Sequence, residues 1–294
     1  MLATVLWGCG ATPPPKPLPA GWSPSLEQVI PGDVDLVARI DLSRARQDGV
    51  DGAVRKGLVD SGLSPAVLAA LDGCLDTAAR VRIALRFGPN GTDGDVLAVV
   101  AGVPKRTDVP CNASGWKHAG TRRDLEVFEP EVPSSERSAG ALMMRSDRGE
   151  VLVATPGQVD SVLRVLRDGP DADRLDPKAD DVVVLAANVH EGLLPEAWKQ
   201  KAPTFVQMAR GLLRVEIRAG MHAERGGSVR AELVYGDARD AGRAGETLKR
   251  VRDALAGSDG PALRKIGESS HATLQGEVLR VEFALEAAPL TEQP

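Results

Sequence analysis

Val81-Arg-Ile-Ala-Leu-Arg-Phe87, Gly88-Pro-Asn-Gly-Thr-Asp-Gly94 and Asp95-Val-Leu-Ala-Val-Val-Ala101 decide the fold class when read together. The first run alternates apolar and polar residues, the period of a strand with one buried side and Arg82 and Arg86 on the other. The middle run is turn chemistry, and the third returns as a second strand. The three predict an antiparallel hairpin.

Outward from it, Asp35-Leu-Val-Ala-Arg-Ile-Asp-Leu42 alternates in the same way and reads as a strand. Residues 51–59 and 65–73 read as short helices, the second opened by Ser64 as cap and Pro65 in the first turn. Beyond the hairpin, two short strands are expected near Trp116 and Val127. A further hairpin joins 141–145 to 150–154 through Ser146-Asp-Arg-Gly149. Thr155, Pro156 and Gln158 carry the signature of a helix start, with Gln158 at the capping-box position, and that helix should run through Leu166.

Residues 168–180, rich in Asp, Pro and Gly, read as a linker. After it the pattern begins again. Asp181–Val189 echoes the strand at 35–42, a helix at 194–210 echoes those at 51–73, and 213–219 with 228–234 echoes the central hairpin. A long helix at 238–256 and a last hairpin from His271 to Leu285 complete the chain. The expected fold is therefore α+β, with two similar units of antiparallel sheet, helices on one face of each, and an internal duplication behind them. The expected division is 26–167, a linker at 168–180, 181–288 and a tail at 289–294.

Composition narrows function. A net charge of −5 argues against nucleic acid, because phosphate binding needs clustered, unopposed Lys and Arg. Aromatic residues make up 3%, too few for stacking platforms that bind bases or sugars. No stretch approaches the roughly 20 apolar residues of a membrane-spanning helix.

The N-terminus reads Met1-Leu-Ala-Thr-Val-Leu-Trp-Gly-Cys9-Gly10, followed by a proline-rich stretch over 10–25. An apolar run closing on Leu6-Trp7-Gly8-Cys9 resembles the lipobox of bacterial lipoproteins. Trp7 is bulkier than that family's usual residue, and the leader is shorter than the ~15–30 residues of a secretory signal, which places the expected true start upstream of Met1. The resemblance implies cleavage before Cys9, acylation of Cys9 and an address in the cell envelope. Gly10, where Asp often marks inner-membrane retention in that family, implies the outer membrane, facing the periplasm. Stable anchoring takes two or more acyl chains, since each buried CH₂ contributes about 0.8 kcal/mol. Residues 10–25 then read as an extended spacer lifting a folded part off the headgroups.

With Cys9 lipidated, Cys74 and Cys111 remain as an even pair in an oxidising compartment. Both flank the central hairpin near one of its ends, and a disulfide between them is expected, contributing roughly 3–4 kcal/mol. No CxxC or nearby His marks either as a reactive thiol.

A search for chemistry returns little. His118, His190, His222 and His271 are scattered and form no zinc spacing. Ala256-Gly-Ser-Asp-Gly260 misses the spacing of a nucleophile elbow and follows a helix, so turn chemistry explains it. Gly88–Gly94 lies between antiparallel strands, where no helix N-terminus could hold a phosphate. Asp171, Asp173, Asp176, Asp180 and Asp181 lack the mid-loop Gly and terminal Glu of a calcium loop, and read as linker. No catalytic residue, metal ligand or cofactor is nominated.

What remains is charge on the strands. Arg82, Arg86, Arg214, Glu216, Arg218, Arg230 and Glu232 fall on polar faces and read either as a solvated sheet face or as a shallow charged recognition surface. The expectation is a non-enzymatic envelope lipoprotein that binds or scaffolds, with the membrane and envelope proteins as partners. Two alternatives stay open: a carrier holding a small ligand or lipid in a groove between the units, and a hydrolase with a dispersed site.

Overall fold

The computed structural model describes residues 24–60, 65–88, 94–103, 111, 116–122, 125–131, 141–145, 147–170, 175–176, 181–190, 203–222 and 224–285. Their strands are β1 (Leu36–Asp41), β2 (Arg80–Arg86), β3 (Asp95–Ala101), β4 (Trp116–Arg122), β5 (Leu125–Pro130) and β6 (Ala141–Arg145). The series continues with β7 (Glu150–Ala154), β8 (Val183–Asn188), β9 (Leu212–His222), β10 (Gly226–Tyr235), β11 (His271–Gln275) and β12 (Val278–Leu285). The helices are α1 (Leu42–Gln47), α2 (Asp51–Asp60), α3 (Pro65–Leu75), α4 (Pro156–Asp168), α5 (Pro203–Ala209), α6 (Ala238–Ala256) and α7 (Pro261–Ser269). A 3₁₀ turn at Leu26–Gln28 precedes them.

The class is α+β, built on one antiparallel sheet in the order β11-β12-β10-β9-β8-β1-β2-β3-β7-β6-β5-β4. The two expected units meet in its middle, where β1 pairs with β8 and Val37 lies opposite Ala186. Outward from that pair, β1-β2-β3 and β8-β9-β10 repeat the same order, so the sequence echo has a counterpart in topology. The halves diverge beyond it, four strands following β3 and two following β10.

Alternation divides the sheet into two faces. One carries Ile40, Val81, Ile83, Ala98, Val100 and Val153, and is packed by α1, α2 and α3 through Ala45, Leu58, Val67 and Leu71. The same face continues into the second half as Leu233, Leu279 and Val281, covered by α5 and α6 through Ala209, Ala241 and Ala244. The opposite face differs between the halves. In the first, Val37, Ala84, Leu97, Val99 and Leu152 are packed by the 3₁₀ turn and by Val162, Val165 and Leu166 of α4. The first half is therefore covered on both faces, whereas the described residues cover one face of the second half. The reason is legible locally: β3 and β7 are apolar on both sides of the strand, the pattern of a strand buried twice.

Several local expectations shift. The strand at 35–42 ends at Asp41, whose side chain accepts from the Arg44 backbone N–H at 2.8 Å and caps α1, so Leu42 belongs to a helix. Thr155 makes no cap; its hydroxyl accepts from Val96 N–H at 3.0 Å and donates to Asp95 at 3.1 Å, tying α4 to β3. Gln158 is fully buried, and its amide finds no partner among the described residues. Gly169 closes α4 with φ of 92°, a conformation L side chains rarely adopt. The stretch read as linker is fastened in part: Leu175 is buried in the α4 core and Asp176 bonds Arg82. Helix α7 was not anticipated, although Gly260-Pro261 announces it.

Candidate interaction surface

On β9, β10, β12 and β11, every second side chain points away from α5 and α6, and no described element covers that side. The register sets these side chains in rows. Across one row lie Arg218, Arg230, Glu282 and His271, and across the next Glu216, Glu232, Arg280 and Thr273. Arg214 extends the surface on β9, one alternation beyond Glu216. The residues between the two rows, Ile217, Ala231 and Val281, face the helices.

The charges are paired within the surface. Arg230 Nε donates to Glu282 at 2.9 Å, Arg280 Nε to Glu232 at 2.9 Å, and Arg218 Nε to Glu216 at 2.9 Å. Glu282 as hydrogen-bond acceptor raises the Arg230 pKa above its ordinary value, helped by the charges of Glu282 and Asp181. The surface therefore presents paired guanidinium and carboxylate groups to solvent. Its centre is a shallow hollow of about 260 Å³ lined by Arg218, Arg230, Glu232, Arg280 and His271. A second hollow, of about 240 Å³, lies on the other side of the sheet between α6 and β11, over Leu248, Ala272, Leu274 and Leu279.

The remaining residues singled out from sequence do not converge. Arg82 is buried, holding Asp176 and the Glu27 carbonyl oxygen at 2.8 Å. Arg86 bridges Asp33 and Asp95, and the hydrogen bond it donates to Asp95 raises its pKa. Both are structural ion pairs of the doubly covered half. His118 stands edge-on to Phe128, ring centroids 5.4 Å apart. His222 closes β9 and His271 lies on the charged surface. His190 Nε2 lies 3.1 Å from Asp35, joining the ends of β8 and β1; 155 residues separate the two, and no sequence signal marks them. Among the described residues, no three His, Cys, Asp or Glu side chains gather as a metal site. Asp181 is described beside β8; Asp171, Asp173 and Asp180 lie outside the described residues, as does most of the Gly88–Gly94 turn.

Cys74 and Cys111 form a disulfide with Cα atoms 4.5 Å apart, and both are buried. It ties the end of α3 to the segment that follows β3. Cys9 lies outside the described residues. No described helix is long and apolar enough to cross a membrane.

No protein-family model matches this chain, and no curated protein does. Solved structures do. Crystal form I of a protein named TP0453 superposes with a TM-score of 0.53 at 12% identity, covering 90% of this chain and 94% of that one. Crystal form III gives 0.52 at 12% identity over 92% and 96%. The likeness shows the fold. It spans both halves of the chain.

Proposed function

We propose that this chain is a lipid-anchored cell-envelope protein that works by binding, and that the charged face of β9, β10 and β12 is its recognition surface. The observation that carries the reading is the exposure of that face. Arg230, Glu282, Arg280 and Glu232 keep 61, 53, 51 and 44% of their side-chain area in solvent, beside a half of the same face that is fully roofed. A broad, nearly flat array of fixed charges suits an extended macromolecular partner, with charge pattern setting register and association rate. The Cys74–Cys111 disulfide supports an oxidising compartment. The lipobox-like run ending at Cys9 and the proline-rich spacer behind it support a tether, with the outer membrane as the address.

Reversal of plate charges, R218E with R230E, should remove the proteins cross-linked to the chain in the envelope while leaving melting nearly unchanged. Unchanged capture, or a bound lipid in native mass spectrometry with no protein partner, would overturn the reading in favour of a carrier. The tether has its own check: the Cys9→Ala chain should leave the detergent phase, and its persistence there would exclude lipid on Cys9.

A further inference from the structure

Four side chains at the middle of the charged face form a checkerboard. On β10, Arg230 and Glu232 stand two residues apart. On β12, Glu282 lies opposite Arg230 and Arg280 opposite Glu232. Reading across the strands gives plus-minus in one row and minus-plus in the next. A checkerboard of this kind complements itself when a second copy is turned over onto it.

We infer that the occupant of this face is a second copy of the chain, docked sheet to sheet about a two-fold axis that runs parallel to the strands between β10 and β12. Under that operation Arg230 meets Glu282 of the copy, and Arg280 meets Glu232 of the copy, each contact occurring twice. One strand further out, β9 lies over β11 of the copy. Arg218 then meets His271 and Glu216 meets Thr273, so no guanidinium faces a guanidinium and no carboxylate a carboxylate. A two-fold contact of this type is self-limiting and gives a closed dimer. The inference rests on the binding role proposed above and names the partner.

Two further observations favour this docking. The first is steric. The 3₁₀ turn and α4 rise from the same face over β3 and β7, and the sheet ends on the other side at β11. An axis parallel to the strands carries the roof of the copy away beyond that free edge. An axis across the strands would complement the charges equally but would set roof against roof. Sheets pack about 10 Å apart in near alignment, a gap that an Arg and a Glu reaching from opposite sides can span.

The second is an arrangement the fold alone does not favour. Arg218 lies directly opposite Arg230, and Glu216 directly opposite Glu232. Like charges in that relation destabilise a hairpin, and one exchange within either strand would remove both clashes. A local rule broken on an exposed face points to a constraint from outside the chain. The contact is small, polar and weak in dilute solution. Confinement of tethered copies to one membrane surface raises their effective concentration and makes such a contact count.

The test is sedimentation equilibrium of the Cys9→Ser chain, with two variants of identical net charge. The parent should self-associate reversibly at about 50 mM salt and on the order of tenfold more weakly at about 500 mM, since exposed charges are screened. The E232R/R280E chain, with one sign on each strand, still opposes plus to minus under the proposed axis and should associate within about threefold of the parent. The E282R/R280E chain, with one sign in each row, opposes like to like and should lose association by about tenfold or more. Thermal melts of both variants establish that they fold. A parent that stays monomeric at both salts, or two variants that behave alike, overturns the inference. If it falls while R218E with R230E still abolishes capture of envelope proteins, the binding role survives with a different partner; if capture is also unchanged, both fall together.

Discussion

The same face of the same sheet is built in two ways. Over β3 and β7 it carries Leu97, Val99 and Leu152, all fully buried beneath α4 and the 3₁₀ turn. Over β9, β10 and β12 it carries Arg218, Arg230, Glu232, Arg280 and Glu282 in open solvent. The opposite face is packed with helices in both halves. An antiparallel sheet is stable with a single covered face, so the second half needs no roof, and its open side is free for contact with something else. The first half is a doubly packed block, and the second leaves one face to solvent.

The largest expected break in this contrast comes from the disulfide, which staples only the doubly covered half. The double variant Cys74→Ser with Cys111→Ser should lose about 4 kcal/mol in denaturant unfolding, from the loop the bond closes. Hydrogen exchange should show the loss concentrated in α3 and β3, with β9, β10 and β12 keeping most of their protection. Uniform loosening would mean that the two halves unfold as one.

Next in size is a matched pair of truncations on the divided face. Leu152→Ala should cost about 3 kcal/mol, because it opens a cavity between sheet and α4 with little room to collapse. Val234→Ala, on the same face but half-buried in the open half, should cost less than about 1 kcal/mol. Similar costs at the two positions would show that the open half is roofed in solution.

How much of this was readable beforehand depends on the element. Strand positions, the hairpins and the long helix α6 followed from period and punctuation, because 81–87, 213–219 and 228–234 alternate and 238–256 does not. The run over β3 is apolar at consecutive positions, a trace of its second cover, yet the expectation was helices on one face of each unit, because a helix does not announce which face it will cover. The capping signal at Thr155 and Gln158 failed for a tertiary reason: Asp95 and the Val96 backbone compete for the hydroxyl. The Cys74–Cys111 pair was legible from cysteine parity and the hairpin between them. The charged positions of β9 and β10 were named, but Arg280 and Glu282 of β12 were not, and the checkerboard was not legible, since register between β10 and β12 joins residues about 50 apart. His190 with Asp35 is invisible for the same reason.

A mid-sized effect sharpens the contrast from the second half. Tyr235 is the single tyrosine of the chain, is buried under α5, and donates its hydroxyl to Met208 O at 2.9 Å. Burial pushes its pKa from 10.0 up to about 12. The unfolded chain therefore releases this proton first, so the contribution is complete below pH 10 and is lost as pH rises toward 12. Absorbance at the tyrosinate band should titrate late, in step with unfolding of the second half. Tyr235→Phe should remove that pH dependence and cost about 1 kcal/mol at neutral pH for the lost hydrogen bond. A tyrosine titrating near its ordinary value in folded protein would place this core in contact with water.

The smallest expected effect is the one that bears most directly on the presenting surface. Arg230→Ala removes a 2.9 Å bond to Glu282, but both side chains are more than half exposed. An exposed cross-strand pair contributes little, and screening lowers that further at physiological salt. The opposition of Arg218 and Arg230 works the other way, since removing one of two facing cations relieves repulsion. The two effects nearly cancel, and the melting temperature should move by no more than a degree or two. Arg82→Ala is the proper control: that arginine is buried, is held by Asp176 and the Glu27 carbonyl oxygen, and should cost about 2 kcal/mol or more when its partners are stranded. If Arg230→Ala proved as costly as Arg82→Ala, the charges of the second half would be part of the fold's own cohesion. If it proves nearly silent, those charges contribute little to folding, and their arrangement serves an encounter.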